Sequence, residues 1–377
     1  MPALPRFPTP LIDVDHAVAR VAAACPRISD TLRLPLAEAL GRVLAATIAA
    51  PHALPTVTQS AMDGFALTVG AGLAAGSVVQ NHWPVVTGAP LPAGADAVIL
   101  GDFAQVTADG LVLHRAVAAG DNIRRAGEDI TAGEPLVAAD TRLQARHLGL
   151  LAMAGVSMVE VRRAPRLDLR ALGDREGEAS ATLAVLEGLA RSAGVTPLPA
   201  GSRTIDPSAP NALAETNADL IVLAAGVDVG GPLGCVAMLE AQGFTVEPMA
   251  IALKPGKPLV LATHGRAVAL VLPGHPVPAL ITWMLLVRPM LAALEGGGIG
   301  GMPPLALPAA TLYRRRPGRT EFAPARLVDG RVEILGRGGS VRFRPLLAAD
   351  GLAEIDAGTG DVAPGHLVRF HALAPGA

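Results

Sequence analysis

Apolar residues recur at helical spacing over 11–24, LIDVDHAVARVAAA, and again over 35–49, PLAEALGRVLAATIA, so two amphipathic helices are expected at the start of the chain. From 51 to 140 the pattern breaks into short bursts of Val, Thr, Pro and Gly, the texture of β-structure with tight turns. Strands joined by such turns are expected within 88–102 and 128–143, and helical spacing returns over 143–155.

A second texture begins near Ala164-Pro165. RLDLRAL (166–172) leads through GDREGE into a helical SATLAVLEGLARSAG. DLIVLAA (219–225) leads through GVDVGGP into LGCVAMLEAQG, and AVALVL (267–272) leads through PGHP into VPALITWMLLVRPMLAAL. Three strand–loop–helix units in a row predict a parallel sheet with helices on its faces, a three-layer α/β domain. Ligands of such sheets lie beyond the C-terminal strand ends, where the three loops gather. The stretch 267–287 has the apolarity of a membrane span, but Pro273, Gly274, Pro276 and Pro278 sit in it, so strand, loop, then helix is the better reading. GGGIGGMPP (296–304) reads as a linker, and short alternating strands follow it. The expected fold class is α/β plus β-rich domains. Residues 1–164 form an N-terminal helical and β-rich region of two subdomains, 165–302 the α/β domain, and 303–377 a small C-terminal β domain.

Composition narrows the function classes. A chain of 377 residues favours several domains, and 51% hydrophobic against 17% charged residues favours large cores. A net charge of −2 argues against a nucleic-acid coat, and 3% aromatics argue against stacking on bases. Any anion site must therefore be built locally. Cys25 and Cys235 form no CxxC, which fits a reduced cytoplasm rather than a disulfide framework. MPALPRFPTPLIDVD is interrupted by prolines and lacks a signal-peptide apolar run, and neither nucleic acid nor membrane is expected as a partner.

Several motifs carry chemistry, each beside a plainer reading. MDGF (62–65) fits a hairpin turn, and it also fits a carboxylate, Asp63, held in partly apolar surroundings to bind metal or position water. KPGKP sets Lys254 and Lys257 across a stiff turn, which suits an oxyanion or phosphate or else a solvated loop. LPGHP places Gly274 and His275 where a strand ends and a helix begins, either an anion-docking corner or an ordinary one. AAGVDVGG and LGDREGE offer backbone N–H groups with Asp228, Asp174 and Glu176, which could hold Mg²⁺ or only cap helices. RRRPGR, with Arg319 at its end, and GRGGS, with Ser340, make a basic cluster that is either an anion pocket or a solvated face.

Taken in order, LAEALGRVLAATIAAPHALP, QSAMDGFAL, TGAPLPAGADAVI, NIRRAGEDITAG, KPGKPL, LVLPGHPVPAL and PGRTEF resemble the molybdopterin molybdenumtransferases, including the C-terminal domain of gephyrin. The resemblance covers nearly the whole chain. It implies an elongated multidomain homodimer that takes adenylylated molybdopterin and molybdate, inserts molybdenum and releases AMP, assisted by Mg²⁺. It also implies an anionic pterin ligand in a cleft involving both subunits, and contacts with other cofactor-biosynthesis proteins. By motif, Asp63, Thr87 and Asp129 match catalytic positions and Ser340 an oxyanion-binding one. Lys254, Lys257, Gly274, His275, Arg319, Gly226 and Asp228 are the further substrate-binding candidates, and Asp63, Asp174, Glu176 and Asp228 the metal-binding ones, with Asp228 and Glu176 standing in for acids that the family pattern has elsewhere.

The departures from the family pattern fall in the three loops of the α/β domain. Ala224 and Ala225 replace Ser and Gly, and Gly231, Pro232, Leu233 and Gly234 stand where acids are usual. Leu172 replaces Thr, Arg175 replaces Glu, His275 replaces Asn and Pro278 replaces Ser. Three expectations follow: an active transferase with altered loops, a degenerate paralogue that binds molybdopterin for delivery, or a non-catalytic dimeric scaffold.

Overall fold

The computed structural model describes residues 10–173, 177–199, 203–205, 213, 216–226, 230–298, 303–336 and 342–373. The chain forms two compact units, one of 33–40 with 44–161 and one of the remainder. The first helix, α1 (Val14–Ala23), falls in the larger unit together with the α/β and C-terminal β elements. Asp13 caps α1 by accepting from the His16 backbone N–H at 2.8 Å, and Ala17 and Val21 enter the main core.

The second expected helix, 35–49, does not form. Its start is a single 3₁₀ turn, Leu36–Glu38, and its end is a short strand, Ile48–Ala49. Gly41 stands at φ 76° and stops helical propagation, while Val43, Thr47 and Ile48 are β-branched. Ala39 and Leu44 are buried all the same, in a core with Val137, Leu143, Leu151 and Val159. Burial there rewards extended chain as readily as helix, so the spacing alone misled.

The smaller unit is β-rich. Strand β1 (Gln59–Ser60) leads into β2 (Gly64–Leu67), which lies between β3 (His82–Val85) and β4 (Ala97–Leu100). Strand β5 (Ile123–Arg124) pairs antiparallel with β1. Leu67, Ala97, Ile99, Leu111 and Leu113 form the core beneath. The expected helix over 143–155 is present as α2 (Ala145–Met153).

In the larger unit the strands are β6 (Leu167–Leu172), β7 (Arg203–Ile205), β8 (Leu220–Ala225), β9 (Thr245–Ala250), β10 (Leu253–Lys254), β11 (Pro258–His264) and β12 (Ala267–Pro273). One sheet runs in the order β7-β6-β8-β12-β11-β9. Its first four strands are parallel, in keeping with the three strand–loop–helix units. Strands β11 and β9 are antiparallel, so the sheet is mixed rather than parallel throughout. A hairpin at Gly265, φ 57°, reverses the chain between β11 and β12. Alternate residues feed two apolar clusters. Leu167, Leu169, Val222 and Leu270 join one, and Leu172, Ile221, Leu223 and Val271 the other. Each such fully buried side chain contributes about 1.5–3 kcal/mol.

The helices that follow are α3 (Glu178–Ser192), α4 (Val236–Ala241), α5 (Pro276–Thr282) and α6 (Arg288–Glu295). A π turn, Trp283–Val287, joins α5 to α6. Pro289 lacks an N–H and crowds the carbonyl of Leu285, so the helix widens just before it. The run 276–295 is long and apolar enough to cross a membrane, but 72% of its apolar window is buried inside the fold. The order strand, loop, helix holds for this stretch.

The C-terminal strands are β13 (Leu305–Pro308), β14 (Thr320–Val328), β15 (Arg331–Ile334), β16 (Gly351–Ile355) and β17 (Leu367–Ala372). A short helix, α7 (Phe343–Leu347), lies before β16. The sheet order is β10-β14-β16-β17-β13, with β15 on β14. The first strand of this C-terminal sheet, β10, therefore comes from the KPGKP segment.

Candidate active site

In the smaller unit three distant segments lie side by side. Residues 58–61 accept and donate backbone hydrogen bonds to 88–91: Ser60 N to Ala89 O at 2.9 Å, Gly88 N to Ser60 O at 2.8 Å and Leu91 N to Thr58 O at 3.0 Å. On the other side, Ser60 pairs with Ile123, and Ala61 N donates to Asn122 O at 2.9 Å. QSAMDG, TGAP and NIRRAGED are thus joined in one ribbon.

Asp63 follows β1 and is exposed. Its Oδ1 accepts from the Thr87 backbone N–H at 2.7 Å and from the Thr87 hydroxyl at 2.9 Å. Those bonds, the backbone one foremost, hold its carboxyl below the ordinary value near 3.8. Gly64 next to it is dictated by space, since a Cβ there would stand 2.0 Å from Ile99 O. Asp63 is therefore an ionised, aimed carboxylate at the edge of a closely packed strand pair. Asp129 is exposed too, with its Oδ2 4.0 Å from Arg124 Nη2. Arg124 is engaged more closely by Glu128, at 2.7 Å, whose carboxyl is also held low, chiefly by that bond.

Thr87→Val leaves the backbone N–H to hold Asp63 but removes the hydroxyl. The sign of the pH effect is set by the depressed carboxyl. Loss of the hydroxyl lets the Asp63 pKa rise back towards its ordinary value, so the carboxyl stays protonated to higher pH in the variant than in the parent. An NMR titration of the Asp63 carboxyl in both forms checks this.

The larger unit carries the remaining predicted residues. At the C-terminal strand ends, Gly226 N donates to Leu172 O at 2.9 Å and Gly274 N to Ala225 O at 2.8 Å. A Cβ on Gly274 would stand 2.5 Å from Gly226 N, so the two loops touch through bare backbone. The Thr182 hydroxyl of α3 donates to Gly274 O and pins the corner. His275 caps α5, its Nδ1 3.4 Å from Val277 N, and its ring lies 6.2 Å from that of Phe343 on α7. Asp174, Glu176, Asp228 and Ser340 lie outside the described residues.

The two lysines of KPGKP differ in setting. Lys257 is exposed, and its carbonyl accepts from Ile251 N at 3.0 Å, closing the loop. Lys254 is half-buried, with Nζ 3.2 Å from Glu321 Oε1. Strand β10 pairs in parallel with β14, Leu253 opposite Thr320 and Lys254 opposite Glu321, which brings Arg319 to the same strand end. Of the basic run, Arg315 is no solvated charge. Its side chain is fully buried, 3.0 Å from Glu321, and it also donates to the carbonyls of Asp356, Thr359 and Arg319. No sequence motif singles out Glu321 or Tyr313, and Arg315 stands there only as one member of the basic run RRRPGR. The available signal was a lone Glu inside an otherwise apolar strand, EFAPA, two places after Arg319.

Among the described residues no three His, Cys, Asp or Glu side chains come together as a metal set. Asp63 offers one carboxylate whose Oδ1 already holds two donors. The described donor set therefore does not make a protein cage for Mg²⁺.

Residues 12–155 match the family model described as "MoeA N-terminal region (domain I and II)", and 306–373 match "MoeA C-terminal region (domain IV)". The chain belongs to the MoeA family. The family's N-terminal match includes Asp63, Thr87 and Asp129, and its C-terminal match includes Arg319 and Glu321. A Haemophilus influenzae protein named molybdopterin molybdenumtransferase is 29% identical over 96% of this chain and 98% of its own length. A Synechococcus elongatus protein of the same name is 28% identical over 90% of this chain and 94% of its own. The crystal structure of a Pyrococcus horikoshii molybdopterin biosynthesis moeA protein shares the fold, with a TM-score of 0.76, 23% identity, and coverage of 96% of this chain and all of that one.

Proposed function

We propose that this chain is a molybdopterin molybdenumtransferase, an enzyme of molybdenum cofactor biosynthesis. Its substrates are adenylylated molybdopterin and molybdate, and its products are the molybdenum-loaded pterin and AMP. The observation that carries this reading is the near full-length match to relatives bearing that name. The intact Asp63–Thr87 arrangement supports it from the chemistry. Both substrates are anions. Lys254, Lys257 and Arg319 hold their charged groups, and the bare backbone at Gly226 and Gly274 admits a phosphate close to the strand ends. Asp63, ionised and held by Thr87, with Asp129 on the same ribbon, is the carboxylate set for the anhydride. Asp228 and Ser340 are further candidates for pterin binding, and His275 takes the place of the usual Asn. We further place the parallel strands in a three-layer domain and the working enzyme in a cytoplasmic homodimer.

The delivery and scaffold readings are less well supported, since the relatives that span the chain carry the name of a transferase. Incubation with adenylylated molybdopterin, molybdate and Mg²⁺, following AMP, tests the proposal. Molybdate-dependent AMP release is the expected result. Tight pterin binding without AMP would establish the delivery reading, and neither would leave the scaffold.

A further inference from the structure

We infer that Glu321 is a positioning residue, a buried carboxylate that aims the Lys254 ammonium at the anionic substrate while Arg315 offsets its charge. The inference rests on the proposed reaction and adds a residue to its site. Glu321 is buried in the fourth position of the GRTEF segment, and its two oxygens have separate duties. Oε2 lies 3.0 Å from Arg315 Nε, and the Arg315 side chain has no exposure at all. Oε1 accepts from the Tyr313 hydroxyl at 2.9 Å and lies 3.2 Å from Lys254 Nζ.

The charges decide the reading. A buried carboxylate facing Lys254 alone would form a closed ion pair and spend the lysine's charge internally. Arg315 is a second cation on the same carboxylate, so the three groups sum to +1. Arg315 is sealed from solvent, whereas the Lys254 side chain keeps 23% of its surface exposed. The surplus positive charge is therefore presented at Lys254. Lysine has a long flexible stem, and a fixed acceptor removes much of the freedom that it would otherwise lose on binding an anion. Because Lys254 and Glu321 are register partners on β10 and β14, the geometry is fixed by backbone pairing rather than by side chains alone.

The test is a double-mutant cycle on the full chain, with molybdopterin affinity as the readout and AMP release at saturating substrate beside it. Glu321→Gln and Lys254→Met are each expected to weaken molybdopterin binding about tenfold, the size of one charge-assisted hydrogen bond. The double variant is expected to bind no more weakly than Lys254→Met, because Glu321 acts through Lys254. Turnover at saturation changes less than affinity. Additive losses, or a Glu321→Gln protein that binds as the wild type does, would overturn the inference and leave the functional reading standing. A wild-type chain that fails to bind molybdopterin overturns the functional reading, and the inference with it. If the Gln variant does not fold, with Arg315 facing a neutral amide, Glu321→Asp keeps the charge, withdraws it from Lys254 by one methylene and enters the same cycle.

Discussion

Asp63→Ala is expected to lower molybdate-dependent AMP release by about a hundredfold or more while the protein stays folded. The loss is large because the carboxylate is the group delivered by the whole ribbon of 58–63, 86–91 and 122–129. The fold is spared because Asp63 is exposed and its partner Thr87 is exposed as well. Asp63→Asn separates two roles. The amide oxygen still accepts from Thr87, so a positioning role would survive the change, whereas a role that needs negative charge would not. Initial rates for the three proteins, with circular dichroism to confirm folding, decide between them. Activity of the Ala variant within a fewfold of wild type would remove Asp63 from the reaction.

Gly274→Ala is the second large effect, and it acts first on the fold. The added Cβ would meet Gly226 N at 2.5 Å and Ala225 C at 2.6 Å. Both are backbone atoms at the end of β8, so no side chain can swing aside. The strand ends must part, which strains the Gly274 N to Ala225 O bond and the Thr182 bond to Gly274 O. A stability loss of about 3 kcal/mol is expected, at the upper end for overpacking. Molybdopterin binding is expected to weaken as well, because the parted loops no longer meet through bare backbone. Urea unfolding read beside a binding titration checks both. An unchanged unfolding midpoint would show that the corner is looser than its geometry indicates.

What could be read in advance follows physical lines. The three parallel units were legible because each combines a β-rich run, a loop and a helical repeat, and each property is local. The antiparallel β9 and β11 were not, since pairing order depends on partners far along the chain. The helix over 35–49 failed because its apolar spacing was real but served a different packing, with Gly41 breaking the helix. Asp63 and Thr87 were legible as separate motifs. Their hydrogen bonds span 24 residues and could not be read from either segment alone. Glu321 shows the limit most clearly. Its place arises from β10 joining the C-terminal sheet, which sets Lys254 opposite a carboxylate 67 positions later in the chain. Arg315 looked like one of several surface charges, and only burial distinguishes it from Arg314 and Arg316.

The run 276–295 carries a consequence for synthesis. Newly made, and before its bed is in place, this greasy stretch has the length and apolarity of a membrane span. Yet much of the surface that shelters it, on α1, β6, α3, β8 and β12, has already been translated when it emerges. Chain order therefore keeps the interval of danger brief, and moving this stretch ahead of its bed by circular permutation would lengthen that interval.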